Sequence, residues 1–122
     1  MIRKMKFTSI PVRDQDRALE FYVGKLGFAK RADFPSGDGA RWIEVAPPGA
    51  ATTIALVPAR EGAPAGVDTG IRLVTGDADA DHAVLLARGV DADAEILRWP
   101  GVPPMFSFRD QDANRLVLIQ QA

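Results

Sequence analysis

Residues 10–28, IPVRDQDRALEFYVGKLGF, hold the end of a strand, the start of a helix and a helix stop in close succession. Ile10-Pro11-Val12 closes a β-type run that begins at Phe7, with apolar side chains on alternate positions. Asp14 then offers a short acceptor side chain for the free N–H groups of a helix start. Ala18, Phe21, Tyr22 and Leu26 fall on one stripe of a helix expected over 14–26, and Gly27 ends it.

The same order recurs further along. Gly70-Ile71-Arg72-Leu73-Val74-Thr75 is a second strand, Asp77 caps a second helix expected over 77–88, and Gly89 ends it. Three more strands follow each helix, at about 28–33, 40–46 and 52–58, and at about 91–97, 104–109 and 114–120. Ser36 to Gly39, Pro47 to Gly49 and Asp110 to Ala113 supply turns. The expected architecture is α+β, two βαβββ modules at about 5–59 and 69–121 within one domain of 122 residues. A Gly/Pro/Ala-rich linker at about 60–68 joins them and is long enough to swing one module.

Alternation assigns the faces of the strands. Ile10, Val12, Ile43, Val45, Ile54, Leu56, Ile71, Leu73, Leu116 and Leu118 form the apolar set that a helix covers. The opposite set is mixed: Phe7, Ser9, Trp42, Glu44, Thr53, Ala55, Val57, Gly70, Arg72, Arg115, Val117 and Ile119. Such a face suits the wall of a cavity better than a dry core.

The motif at 10–28, its repeat from Gly70 to Val90, and FRDQDANRLVLIQ at 108–120 resemble the vicinal oxygen chelate superfamily of glyoxalases, bleomycin-resistance proteins and extradiol dioxygenases. The resemblance covers nearly the whole chain. It implies a U-shaped mixed sheet around a cleft, commonly in a homodimer. The closing turn departs from the family pattern, with Gln111 and Ala113 where a Pro and a Gly are frequent. Metal enzymes of that family draw ligands from the first and fourth strands of each module. Carried over by position, those places fall on Phe7, Ala55 (or Thr53 or Val57 if the register slips), Gly70 and Val117, so no metal and no cofactor are expected.

Composition narrows the alternatives. Without cysteine there is no disulfide, thiolate metal site or Cys nucleophile. Fifteen basic against sixteen acidic residues, with no block of either sign, make nucleic acid and anionic membranes poor partners. No apolar run reaches the length of a membrane span, and a cytoplasmic protein is the expectation. His82, the lone histidine, lies inside the second helix, where a packed or exposed imidazole is the ordinary role. Asp77, Asp79 and Asp81 open like a calcium loop, but His82 and Arg88 stand where Gly and Glu are required. Gly37-Asp38-Gly39 is a hairpin turn, and Ser9 has no histidine to activate it.

A binding constellation remains. Ligand contacts are expected from Phe7, Ser9, Trp42, Thr53, Arg72, Arg115 and Val117, with Trp99, Phe106 and Phe108 added from loops of the second module. Arginine forks suit a carboxylate or phosphate, and the aromatics supply flat apolar surface. Glu44 either pairs with one of the two arginines or acts as a base. The leading expectation is a metal-independent binder of an anionic or partly aromatic small molecule. The alternative is a superfamily enzyme, a lyase or dioxygenase with its metal ligands elsewhere, or a cofactorless catalyst using Glu44.

Overall fold

The computed structural model describes residues 1–121. It divides into two compact units, one up to residue 65 and the other from residue 66 onward. The first contains β1 (Phe7–Val12), α1 (Gln15–Leu19), a π-helical turn (Glu20–Lys25), β2 (Ala29–Pro35), β3 (Arg41–Ala46) and β4 (Thr53–Pro58). The second contains β5 (Asp68–Thr75), α2 (Ala78–Ala87), β6 (Asp91–Ala92), β7 (Leu97–Trp99), β8 (Val102–Arg109) and β9 (Arg115–Gln120). Among the described residues no helix is long and apolar enough to cross a membrane.

Each unit carries an open mixed sheet. In the first the strand order is β1-β4-β3-β2, with β1 parallel to β4 and the other pairs antiparallel. In the second it is β5-β9-β8-β6, with β5 parallel to β9 and β7 also paired to β8. The parallel pairs need a crossover, which the helix after the first strand provides. This is the duplicated βαβββ arrangement in an α+β fold.

The apolar set packs as alternation requires. Ile10, Val12, Ile43, Val45, Ile54 and Leu56 are buried in the first unit with Ala18, Phe21 and Tyr22 of its helical segment. Leu116 and Leu118 are buried in the second with Leu85 of α2, whereas Ile71 and Leu73 are half-buried. Each fully buried side chain of this size contributes roughly 1.5–3 kcal/mol relative to exposure.

Both helices start as their sequences dictate. Asp14 Oδ1 accepts from the N–H groups of Asp16 and Arg17, and Asp77 Oδ1 accepts from that of Ala80. Side-chain amides tie each start to its sheet. Gln15 Nε2 donates to the carbonyls of Arg41 and Leu56, and Gln120 Oε1 accepts from Ala78 N–H.

The ends differ. Leu26 N–H donates to Phe21 O, and Phe28 N–H reaches back to Tyr22 O. In the second unit Val90 N–H reaches only to Leu85 O. The first segment therefore holds one more residue between its capping Asp and its stopping Gly, and the π turn absorbs it. Gly27 and Gly89 both take φ of +77°, the left-handed conformation that glycine adopts without strain. The helix expected over 14–26 is thus an α-helix only as far as Leu19.

One expected strand is broken. Instead of a continuous strand over 91–97, β6 stops at Ala92 and β7 begins at Leu97. Ala92 pairs with Phe108 and Leu97 with Met105, so the first edge has two more residues than its partner. At the break Asp93 bonds across to β8 with its side chain as well as its backbone: its N–H donates to Ser107 O, while Oδ1 and Oδ2 accept from Arg109 Nη1 and Ser107 N–H.

Candidate functional site

Strand register brings equivalent positions of the two units into direct comparison. In the first sheet Ala55 is flanked by Ser9 on one side and Glu44 on the other. In the second sheet Val117 is flanked by Arg72 and Ser107. These residues lie on the faces opposite the helix-covered cores.

On the first face the polar groups satisfy one another. Glu44 accepts from Trp42 Nε1 at 2.7 Å and from Thr53 Oγ1 at 2.5 Å, so both carboxylate oxygens are engaged. Those hydrogen bonds, with Lys6 and Arg31 nearby, hold the Glu44 carboxyl below the usual carboxylate range. That shift runs opposite to what a general base near neutrality requires. Trp42 meets Phe7 edge to face with ring centres 5.2 Å apart, and Phe7 remains 39% exposed. Phe34, 52% exposed, pairs with Trp42 across β2 and β3 and extends the aromatic strip. Ser9 is exposed beside it.

On the second face the same positions open onto a cavity of about 340 Å³. Arg72, Arg115, Ser107, Val117, Met105 and Ile96 are among its lining residues. A bulge positions the arginines. Asp68 pairs with Arg115 and Arg72 with Val117, so β5 carries two more residues than β9 between these points. Gly70 sits in the bulge at φ +70°. Thr69 Oγ1 donates to Arg115 O and accepts from Ile71 N–H, which holds the bulge closed.

The two guanidiniums are differently committed. Arg115 Nη1 pairs with Asp68 Oδ2 at 3.0 Å. Arg72 Nη1 donates to Gly70 O at 2.9 Å and has no carboxylate partner among the described residues. The other charges of the wall are largely paired as well, Asp93 with Arg109 and Arg98 with Asp79. Glu95, which is exposed, is the wall's acid without an ion-pair partner among the described residues. Arg72, beside the apolar Val117 and Met105, is the cation available to an incoming anion.

The expected contact residues therefore separate by unit. Phe7, Ser9, Trp42, Glu44 and Thr53 gather on the first face, and Arg72, Arg115 and Val117 gather around the cavity of the second. Glu44 finds its partners in Trp42 and Thr53, and Arg115 finds its partner in Asp68. Two aromatics need correction. Phe106 and Phe108 are not loop residues: they lie on β8, pair with Leu118 and Leu116 and are buried, Phe106 against His82 while also lining the cavity, and Phe108 away from the cavity lining. Trp99 is 62% exposed on β7, outside the cavity lining. The sequence reading missed Ser107, Met105 and Ile96; the alternation that placed Leu116 and Leu118 would have put Met105 and Ser107 opposite the core.

A metal does not fit these residues. The positions implied by the resemblance carry Phe7, Ala55, Gly70 and Val117, and none offers a ligand atom from its side chain. Among the described residues no three His, Cys, Asp or Glu side chains come together as a metal would need. The nearest carboxylate on the first face, Glu44, has both oxygens occupied.

Known proteins resemble this chain in structure and in sequence. An antibiotic binding protein, TnmS3 from Streptomyces sp. CB03234, is 39% identical over 99% of this chain and 98% of its own, with a TM-score of 0.88. A superfamily member from Sphaerobacter thermophilus DSM 20745 is 35% identical over 98% of both chains, with a TM-score of 0.90. Two Bacillus subtilis (strain 168) proteins described as uncharacterized also match. YetH is 41% identical over 48% of each chain, and YurT is 56% identical over 37% of this chain and 35% of its own. The matches span about half or less of the length of these curated relatives. The family model for the glyoxalase/bleomycin resistance protein/dioxygenase superfamily matches residues 4–118, and with the duplicated βαβββ units this means that the chain belongs to that superfamily.

Proposed function

We propose that this protein binds a small, flat, anionic molecule without using a metal, in the manner of the antibiotic-binding members of its superfamily. One observation carries the reading: the cavity beside β9 holds an Arg72 guanidinium with no carboxylate partner among the described residues, next to apolar Val117 and Met105. A charged donor in an apolar setting gains most from an anion that replaces its water. Ser107 Oγ and the more committed Arg115 supply further donors to the same anionic group. Exposed Glu95 on the wall favours a ligand with a hydrogen-bond donor away from its acid. TnmS3, 39% identical to this chain, is described as antibiotic binding, and this supports the binding class.

The aromatic strip of Phe7, Trp42 and Phe34 in the first unit is by itself a further surface suited to a flat molecule, since ring faces and edges accept aromatic partners. The lowered pKa of Glu44 supports a positioning part for that carboxylate rather than proton transfer. Homodimeric assembly belongs to the same proposal, and sedimentation showing monomer alone at micromolar concentration would remove it.

A thermal-shift screen of aromatic carboxylates, sulfonates and phosphates, run with and without divalent metal, tests the reading. Aromatic acids should raise the melting temperature equally in both conditions. Replacing Arg72 or Arg115 by Ala should weaken such a ligand by about 1.5–3 kcal/mol, the scale of a hydrogen bond to a charged group. Unchanged affinity in both variants would remove the site.

A further inference from the structure

The break between β6 and β7 leaves a short strap, 93–96, as part of the cavity wall. Glu95, Ile96 and Arg98 line the cavity of about 340 Å³ and also a second hollow of about 300 Å³, which Asp79 and His82 of α2 complete. The strap thus has open space on both sides. No backbone hydrogen bond from 94–96 joins it to the sheet among the described residues.

Its ends are anchored on β8, Asp93 by Ser107 and Arg109 and Leu97 by pairing with Met105, and beside each anchor a second tie reaches one face of α2. His82 Nε2 is 2.7 Å from Asp93 O, a contact that requires the proton on Nε2. At the other end Arg98 ion-pairs with Asp79. Asp79 and His82 are three residues apart on a helix and so share a face. Phe106, buried beneath, meets the imidazole edge to face at 4.8 Å and fixes its direction. The outer tie is exposed, and exposed ties of this kind are individually weak, so they open without unfolding anything else.

We infer that His82 and Asp79 are positioning residues that clamp strap 93–96 as the movable wall of the cavity, so that their release sets how fast a ligand enters and leaves. The inference rests on the binding reading above for its ligand, though not for the motion of the strap. Neither residue lines the larger cavity, so loss of His82 changes the rates of passage rather than the contacts made by the bound ligand, whereas loss of Asp79 also frees Arg98, which does line it.

The test uses 8-anilinonaphthalene-1-sulfonate, an anionic aromatic fluorophore, in stopped-flow mixing with the wild type, His82→Ala, His82→Gln and Asp79→Asn. His82→Ala should raise association and dissociation rates together by about fivefold, the loss of one modest hydrogen bond, with little change in dissociation constant. His82→Gln retains a donor and should restore both rates. If His82→Ala fails to fold for want of its contact with Phe106, Asp79→Asn on the exposed face carries the test, with the same direction of change. Unchanged rates, or a faster dissociation matched by an equal loss of affinity, would overturn the clamp.

A second measurement separates the clamp from the binding reading. The chain has no cysteine, so Ile96→Cys introduces a sole thiol on the strap. Its labelling should quicken about fivefold when His82→Ala is added. If the fluorophore does not bind the wild type, the binding reading falls, and the thiol decides the clamp alone: labelling no faster in the double variant overturns it.

Discussion

The two sheets are built from the same unit and carry the same helix-side core, yet their other faces differ. Around Ala55 the flanking residues are Ser9 and Glu44, and the ionised acid is held by hydrogen bonds from Trp42 and Thr53. Around Val117 they are Arg72 and Ser107, and the face opens into a cavity. Duplication preserved what packing demands and left the opposite face free to diverge. The difference is electrostatic as well as steric: one face holds a satisfied carboxylate in an aromatic strip, the other an arginine without a carboxylate partner among the described residues.

The shared side of the comparison should show the largest effect. Phe108 is 1% exposed and pairs with Leu116 beneath α2, so Phe108→Ala should cost about 3–5 kcal/mol in urea unfolding. A loss below about 1 kcal/mol would mean that the helix-side core is not the common scaffold.

Exchanging the divergent residue comes next. Arg72→Ser gives the second face the residue that Ser9 supplies at the matching position of the first. Affinity for an aromatic sulfonate should fall by about 1.5–3 kcal/mol in a fluorescence titration. Retained affinity would place the anion elsewhere.

Glu44 probes the first face. Glu44→Gln leaves one donor facing an amide N–H₂, and should lower stability by about 1–3 kcal/mol. Its native pKa is depressed below the ordinary 4.5, so its contribution is complete above that value and is lost as pH falls through the lower native one. The variant should remove this slope from an acid titration followed by tryptophan fluorescence. An unchanged slope would assign acid sensitivity to other carboxylates.

The smallest effect concerns the helices. Gly24 lies in the π turn with open space around a would-be Cβ and no positive φ. Gly24→Ala should therefore stabilise by roughly 0.4–1 kcal/mol in thermal or urea unfolding. Destabilisation would show that the π turn needs the freedom of glycine.

The repeat, the caps and the glycine stops were legible because each rests on local chemistry: Asp14 and Asp77 cap, and Gly27 and Gly89 take the left-handed turn. The π turn was not read, because Ala18, Phe21 and Tyr22 share a stripe at either helical period; the extra residue between Asp14 and Gly27 was the available clue. The broken strand was hidden for another reason. Asp91, Asp93 and Glu95 alternate as a solvent-facing edge would, and only Arg109 and Ser107 on the neighbouring strand reveal that the Asp93 side chain takes a backbone N–H of β8 where the ladder would continue. Arg72 followed from alternation alone, whereas its release from carboxylate pairing depends on the Gly70 bulge that brings Asp68 to Arg115.

Calorimetric titration of 8-anilinonaphthalene-1-sulfonate into chelator-treated protein tests the central claim most directly. The account predicts saturable one-site binding, the same with and without EDTA and weakened about tenfold or more by Arg72→Ser. Absence of saturable binding, or binding that disappears with the chelator, would contradict it.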